Sequence, residues 1–242
     1  MLGISRNYYM KSTEEQLQKR GYLTDEAEQS FEAASFAELL AWLNNPLPTQ
    51  RTVAARRLGK ILNPKSIEPL CVVLEKEKTL YCKLEICNTL ILFGKDAVPH
   101  LVQRLGKIDN KQYKTPPKKK FGKKNYPLPR DIFARTLMKI GTDALPELCF
   151  VLQSDDTDKI SKAIDAIGHI CFYDTQKHQD VASLLQQCYQ KYADNDLIKW
   201  KLIRAMSAFS ELLPFLEQQY TRLKSNELKQ EAERSIEIIK SR

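Results

Sequence analysis

The side chains of this chain best suited to recognition chemistry are lysines crowded into one stretch. Lys107, Lys111, Lys114, Lys118, Lys119, Lys120, Lys123, Lys124 and Arg130 share residues 107–130 with a single acid, Asp109. Tyr113, Phe121 and Tyr126 are interleaved with them. Ammonium groups attract carboxylates and phosphates, and each phosphate contact releases counterions. Aromatic faces stack on unpaired bases. The stretch is mostly Lys, so it largely lacks the forked guanidinium that grips a carboxylate or phosphate bidentately. The same composition also describes a solvated insertion with no ligand. The residues expected to meet a partner are Tyr113, Lys118, Lys119, Lys120, Phe121, Lys123, Lys124 and Tyr126. An acidic protein surface is the first expectation for that partner and nucleic acid the second.

Catalytic chemistry finds less support. His100, His169 and His178 are isolated from one another in sequence. Cys71, Cys82, Cys87, Cys149, Cys171 and Cys188 are scattered with no C-x-x-C pair, whereas zinc sites favour paired ligand spacing. They read as small buried residues, kept as thiols in a reducing cytosol. The sequence contains no nucleophile elbow, Gly-rich phosphate loop or H-E-x-x-H motif. No catalytic, cofactor-binding or metal-binding residue is assigned, no cofactor is expected, and the chain reads as a non-enzyme.

The net charge sharpens the point. The whole chain is +8, and residues 107–130 alone carry nine bases and one acid. The remaining residues therefore hold 29 bases and 29 acids. The protein is a neutral body with one basic insert, so its high isoelectric point is a property of a single loop.

The elements that must position this loop are helices. Hydrophobic residues are 43% and charged residues 28%, with only 8 Gly and 11 Pro in 242 residues. That is too little Gly for a turn-rich β-sandwich and too much apolar content for a disordered chain. No apolar run approaches the ~20 residues that span a bilayer, so no membrane span is expected. The start, MLGISRNYYMKSTEEQ, has no apolar core of a secretory signal. The expected compartment is the cytoplasm.

Four stretches read alike: RTVAARRLGKILNPKSIEPL from Arg51, KLEICNTLILFGKDAVPHL from Lys83, RDIFARTLMKIGTDALPEL from Arg130 and KWKLIRAMSAFSELLPFL from Lys199. Each begins basic and runs through an amphipathic helix. Each then meets a breaker (Asn63, Gly94, Gly141, Ser210) and starts a second helix bearing Pro69, Pro99, Pro146 or Pro214 near its first turn. Asn63 to Gly94 spans 31 residues, and Pro146 to Pro214 spans 68, two units of 34. Gly94 to Gly141 is 47, the excess being the basic insert. A divergent unit, DKISKAIDAIGHICFYD followed by QDVASLLQQCYQKYAD, lies between the third and fourth.

RTVAARRLGKI resembles HEAT repeats of the bacterial type also found in phycobilisome bilin lyases. The pattern is a basic residue, two small residues three and four places on, then Leu-Gly, here Arg51, Ala54, Ala55, Leu58 and Gly59. Arg130, Phe133, Ala134 and Leu137 repeat it less strictly, and Ile160 replaces the basic residue in the divergent unit. The resemblance covers roughly residues 35–225. It implies an all-α fold, a right-handed α-solenoid of about five or six HEAT-like helix pairs. It implies that the small-residue helices line a concave face and that the basic residue at the start of each ties neighbouring units together. Residues 1–33 are expected to form an N-terminal helical cap and 34–225 the repeat array, with a basic loop insertion at 107–129. Residues 226–242 are expected to form a C-terminal capping helix whose Leu228, Ala232, Ile236 and Ile239 share one face.

The function this implies is a non-enzymatic scaffold that binds a protein through its concave surface and the Lys-rich loop. The alternative is a nucleic-acid-binding HEAT-like protein of alkylpurine DNA glycosylase kinship. That resemblance would imply a concave basic cleft with aromatics and a carboxylate. Trp42 and Trp200 read instead as packing residues, so none of those enzymes' residues is carried over. No residue identifies a tetrapyrrole site.

Overall fold

A computed structural model describes residues 12–24, 34–108, 112–119, 121–176 and 178–242. Every regular element among them is helical, in agreement with the all-α expectation. They form two compact units that divide between Phe93 and Gly94. None of the described helices is long and apolar enough to cross a membrane.

The first unit contains α1 (Glu14–Lys19), α2 (Phe36–Trp42), α3 (Pro48–Ile61), α4 (Ile67–Lys76) and α5 (Leu80–Leu92). Capping boxes start the first two. Thr13 and Gln16 exchange side-chain and backbone hydrogen bonds at α1, and Ser35 and Glu38 do so at α2. Helices α1, α2 and α5 pack on α3, whose Val53, Ala54, Ala55 and Leu58 are fully buried. The small residues let α5 come close enough for the Thr89 hydroxyl to donate to the Ala55 carbonyl at 2.8 Å. Gly21 has φ +84°, and a Cβ there would stand 3.0 Å from Thr52 Oγ1 and 3.1 Å from Cys82 N. Only glycine meets both demands. In return the Thr52 hydroxyl donates to the Gly21 carbonyl at 2.7 Å.

The basic residue at the start of α3 ties neighbouring elements, as expected. Arg51 grips both carboxylate oxygens of Glu77 at 2.7 and 3.0 Å and donates to the Asn45 and Pro46 carbonyls. Burial alone would raise the Glu77 pKa, but hydrogen bonds from Arg51, Thr79 and Cys82 outweigh it and hold the carboxyl at about 2. One breaker differs from expectation. Leu62, not Asn63, takes the left-handed conformation after α3, at φ +52°. Asn63 instead caps the following 3-10 turn by accepting from Lys65 N.

The second unit contains α6 (Val98–Val102), α7 (Ile132–Ile140), α8 (Leu145–Leu152), α9 (Thr157–Tyr173), α10 (Gln179–Lys191), α11 (Asp196–Met206), α12 (Leu213–Arg222) and α13 (Asn226–Ser241). Helix α7 packs on α9, α9 on α11 and α11 on α13. Helix α6 lies against α7 and α8, α8 against α9 and α10, α10 against α11, and α12 against α13. Pro99, Pro146 and Pro214 occupy the second positions of α6, α8 and α12, each after a short 3-10 turn. There the missing N–H costs nothing.

Helix α13 departs from the expected face. Leu228 and Ala232 are buried, but Ile236 and Ile239 are only half-buried. The buried side passes instead through Glu231, Arg234, Ser235 and Ile238. Two charged residues take core positions because they are paired, which an apolar pattern cannot register.

Candidate functional site

The described part of the basic insert is an irregular strap folded onto the inner helices of the second unit. Its deepest anchor is Tyr126, 2% exposed, whose ring packs with Phe172 of α9, Ile238 of α13 and the half-buried Ala208. Gly168, in mid-helix α9, makes room for it, since a Cβ there would fall on the Tyr126 phenol and close to the Ala205 backbone. The phenol oxygen is buried without a hydrogen-bond partner. Burial, and secondarily the Asp165 carboxylate, push its pKa well above the usual value, so the phenol stays neutral.

A buried charge cluster holds the strap backbone. Arg204 of α11 binds Glu231 of α13 through both oxygens, at 3.0 and 2.9 Å. Arg234 adds a third charge, reaching Glu231 at 2.7 Å. Arg234 then donates to the carbonyls of Lys123 and Asn125, each at 3.0 Å. All three charged side chains are buried. One turn along α11, buried Lys201 binds Asp165 at 2.6 Å and the Ser161 carbonyl at 2.8 Å. Lys201 and Arg204 thus tie α11 to α9 and to α13. Lys199 sits over the Tyr189 ring, and Arg130 is exposed and stacked 3.9 Å from the Tyr113 ring centre.

The aromatics meet protein rather than solvent. Phe121 lies 5.0 Å from the Arg234 guanidinium and 5.4 Å from that of Arg204. Tyr113 meets Trp200 edge-on at 5.5 Å, and Arg204 covers Trp200 at 3.9 Å. Tyr126 presents no face to a partner in this conformation, while Phe121 and Tyr113 are half-buried. Between strap and helices remains a cavity of about 180 Å³ walled by Tyr113, Phe121, Pro127, Leu128, Arg130, Asp165, Trp200 and Arg204.

Lys118, Lys119, Lys123 and Lys124 are exposed, and Lys120 lies outside the described residues. The structure therefore brings Tyr113, Phe121 and Tyr126 together against the helices and leaves those four lysines outward. Asp165, Lys201, Arg204, Glu231 and Arg234 belong to none of the motifs that the sequence displays. The available signal was the placement of Lys201 and Arg204 within the otherwise apolar run LIKWKLIRAM.

The histidines are separate features. His169 packs against the rings of Tyr126 and Tyr173, and His178 bonds Asp174 at 2.7 Å. None of the six cysteines is in a disulfide. Burial pushes the Cys82 and Cys171 thiols to about 12 and Cys149 to about 11, so none of these three is a thiolate near neutral pH.

No family model matches the chain, and no curated protein matches it. Two crystal structures described as engineered proteins are similar to it. One is 16% identical, covering 86% of this chain and all of its own, with a TM-score of 0.38. The other is 15% identical, covering 85% of this chain and 96% of its own, with a TM-score of 0.39. Neither likeness bears on what this chain does.

Proposed function

We propose that the chain is a non-enzymatic, HEAT-type helical-repeat scaffold that binds an acidic protein partner through the lysine strap of its second unit. The packing of α7, α9, α11 and α13, each on the next, supports a stacked-repeat array in that unit. Six cysteines outside any disulfide suit a reducing compartment, the cytoplasm.

One observation carries the binding reading. Lys118, Lys119, Lys123 and Lys124 are exposed on a backbone already fixed by Tyr126 and by the Arg234 bonds to Lys123 and Asn125. A pre-ordered strap binds without the cost of ordering a loop on association. Nucleic acid is the second reading. It is favoured by the cavity under the same strap, whose wall carries the Tyr113, Phe121 and Trp200 rings together with the Arg130 and Arg204 guanidinium groups.

The test is quantitative affinity capture from lysate, with and without nuclease treatment, using the native chain and one with Lys118, Lys119, Lys123 and Lys124 all changed to Glu. The scaffold reading expects a defined protein lost only with the variant. Capture that vanishes on nuclease treatment moves the function to nucleic acid. Capture identical for both proteins removes the strap from the interface.

A further inference from the structure

A second cavity in the same unit, about 270 Å³, lies where the first turns of α9 and α11 meet the start of the strap. Thr157 and Asp158 reach it from α9, Leu197 and Ile198 from α11 with its cap Asn195, and Tyr113 and Lys114 from the strap. Ser161 and Lys162, one turn into α9, complete its wall.

Lys162 is only 4% exposed, yet it forms no hydrogen bond or ion pair with any described residue. The Asp131 carboxylate feels its charge from beyond ion-pair distance. Asp131 itself is buried and accepts from the Ala134 and Gly106 amides. The neighbouring Lys201 cation is already neutralised by Asp165. A buried ammonium without a counter-ion is costly, and such groups are normally paired. Ser161 adds a second open valence, its hydroxyl buried with no hydrogen-bond partner.

The helix ends add to this. Asp156 and Asn195 each cap one amide, of Lys159 and Ile198. The other amides of a first helical turn have no intrahelical acceptor, and the helix dipole places partial positive charge there. Two such ends, a buried ammonium, two hydroxyls and the Lys114 side chain therefore face one space. The opposing charge is Asp158, which is exposed and free to turn to water.

We propose that this cavity is an anion site for a phosphate group, with Lys162 as its central charge. A carboxylate would be served by one planar fork of donors, whereas donors here arrive from two helix ends, two side-chain hydroxyls and an ammonium. That arrangement suits a tetrahedral anion carrying nearly two charges near neutrality. A water takes about 30 Å³, so the space admits a phosphate with part of an ester. Lys118, Lys119, Lys123 and Lys124 take no part in its lining.

Isothermal titration calorimetry at constant ionic strength tests it, using inorganic phosphate, phosphoserine and acetate as probes. Inorganic phosphate should bind saturably at one site, with acetate at least about tenfold weaker. Lys162→Met should weaken phosphate by at least about tenfold, and Ser161→Ala by a smaller factor, since charged donors outrank neutral ones. Phosphoserine binding as well as phosphate identifies an ester-bound group, and its failure identifies the free anion. Thermal melts give a second readout: phosphate should raise the Tm of the native chain and leave Lys162→Met unmoved. No saturable phosphate binding up to about 10 mM overturns the site. So does equal binding by native and both variant proteins.

Discussion

At the scale of single residues, Gly168 and Tyr126 form a lock. Alanine is favoured over glycine inside a helix by about 1 kcal/mol. At position 168 that gain is opposed by collision with a buried phenol and the Ala205 backbone, neither of which has room to yield. Overpacking of this kind costs about 1–3 kcal/mol or more, so Gly168→Ala should be net destabilising in denaturant unfolding. The cost should shrink when Tyr126→Ala is added, giving a clear coupling in a double-mutant cycle. Additive effects would place the two residues apart. Glu77 supplies the acid-side prediction. Its folded pKa, about 2, is depressed from 4.5, so the stability it contributes is complete above about pH 4.5 and is lost as pH falls toward 2. Glu77→Gln should be less stable than the native chain by about 1.5–3 kcal/mol near pH 6, with the gap closing on acidification. A gap that stays constant down to pH 2 would contradict the Arg51–Glu77 pairing. These roles were unevenly legible. Arg51 was readable because it heads a regular motif. Gly168 was not, because the residue it accommodates lies 42 positions away in a segment without periodicity.

At the scale of elements, the sequence disclosed the helices better than the strap. Apolar periodicity and punctuation placed α3 to α5 and α7 to α12, since burying one face of a helix leaves a mark on every turn. The insert was expected to be a loop and its described residues from 112 to 129 contain no helix, but its composition carries no mark of burial. Tyr126 and Phe121 looked like ligands for a base because their pockets are built by α9, α11 and α13. The positions that receive them, Phe172 and Ile238 for Tyr126 and Arg204 and Arg234 for Phe121, lie 46–113 residues downstream. The charge triad was hidden for the same reason, since Glu231 and Arg234 read as a solvated face until Arg204 is placed opposite them. A docked strap has a measurable consequence. Trypsin needs local opening to cut, so Lys118, Lys119, Lys123 and Lys124 should be slow sites despite their exposure. Tyr126→Ala should cost about 3–5 kcal/mol, as other large aromatic truncations do. It should then speed cleavage within residues 112–129 by more than about tenfold, through the larger open population. Equal cleavage of both proteins would mean that Tyr126 does not hold the strap.

At the scale of the whole molecule, the balance of charge makes a strong statement. Outside residues 107–130 the chain is neutral, so its long-range field comes from the strap. Six of the described lysines there are exposed, and changing four of them, Lys118, Lys119, Lys123 and Lys124, to Glu shifts the net charge by eight, from +8 to zero. Because those side chains form no hydrogen bond or ion pair with the described residues, the fold should be unchanged, with Tm within a few degrees. Binding should change mainly in its approach phase. Peripheral charges steer encounter, and mutating them alters the association rate and its salt dependence more than the dissociation rate. Screening sets the test. At physiological salt the Debye length is about 8 Å, so the native chain should lose association rate steeply as salt is raised, whereas the reversed variant should show a flat or inverted dependence. Phosphate binding at Lys162 should survive the reversal, because none of the four reversed lysines lines that cavity. Surface-sensor kinetics with the captured partner separates these outcomes. If dissociation rather than association carries the whole effect, the lysines form the closely packed centre of the interface, and steering is the wrong account of the strap.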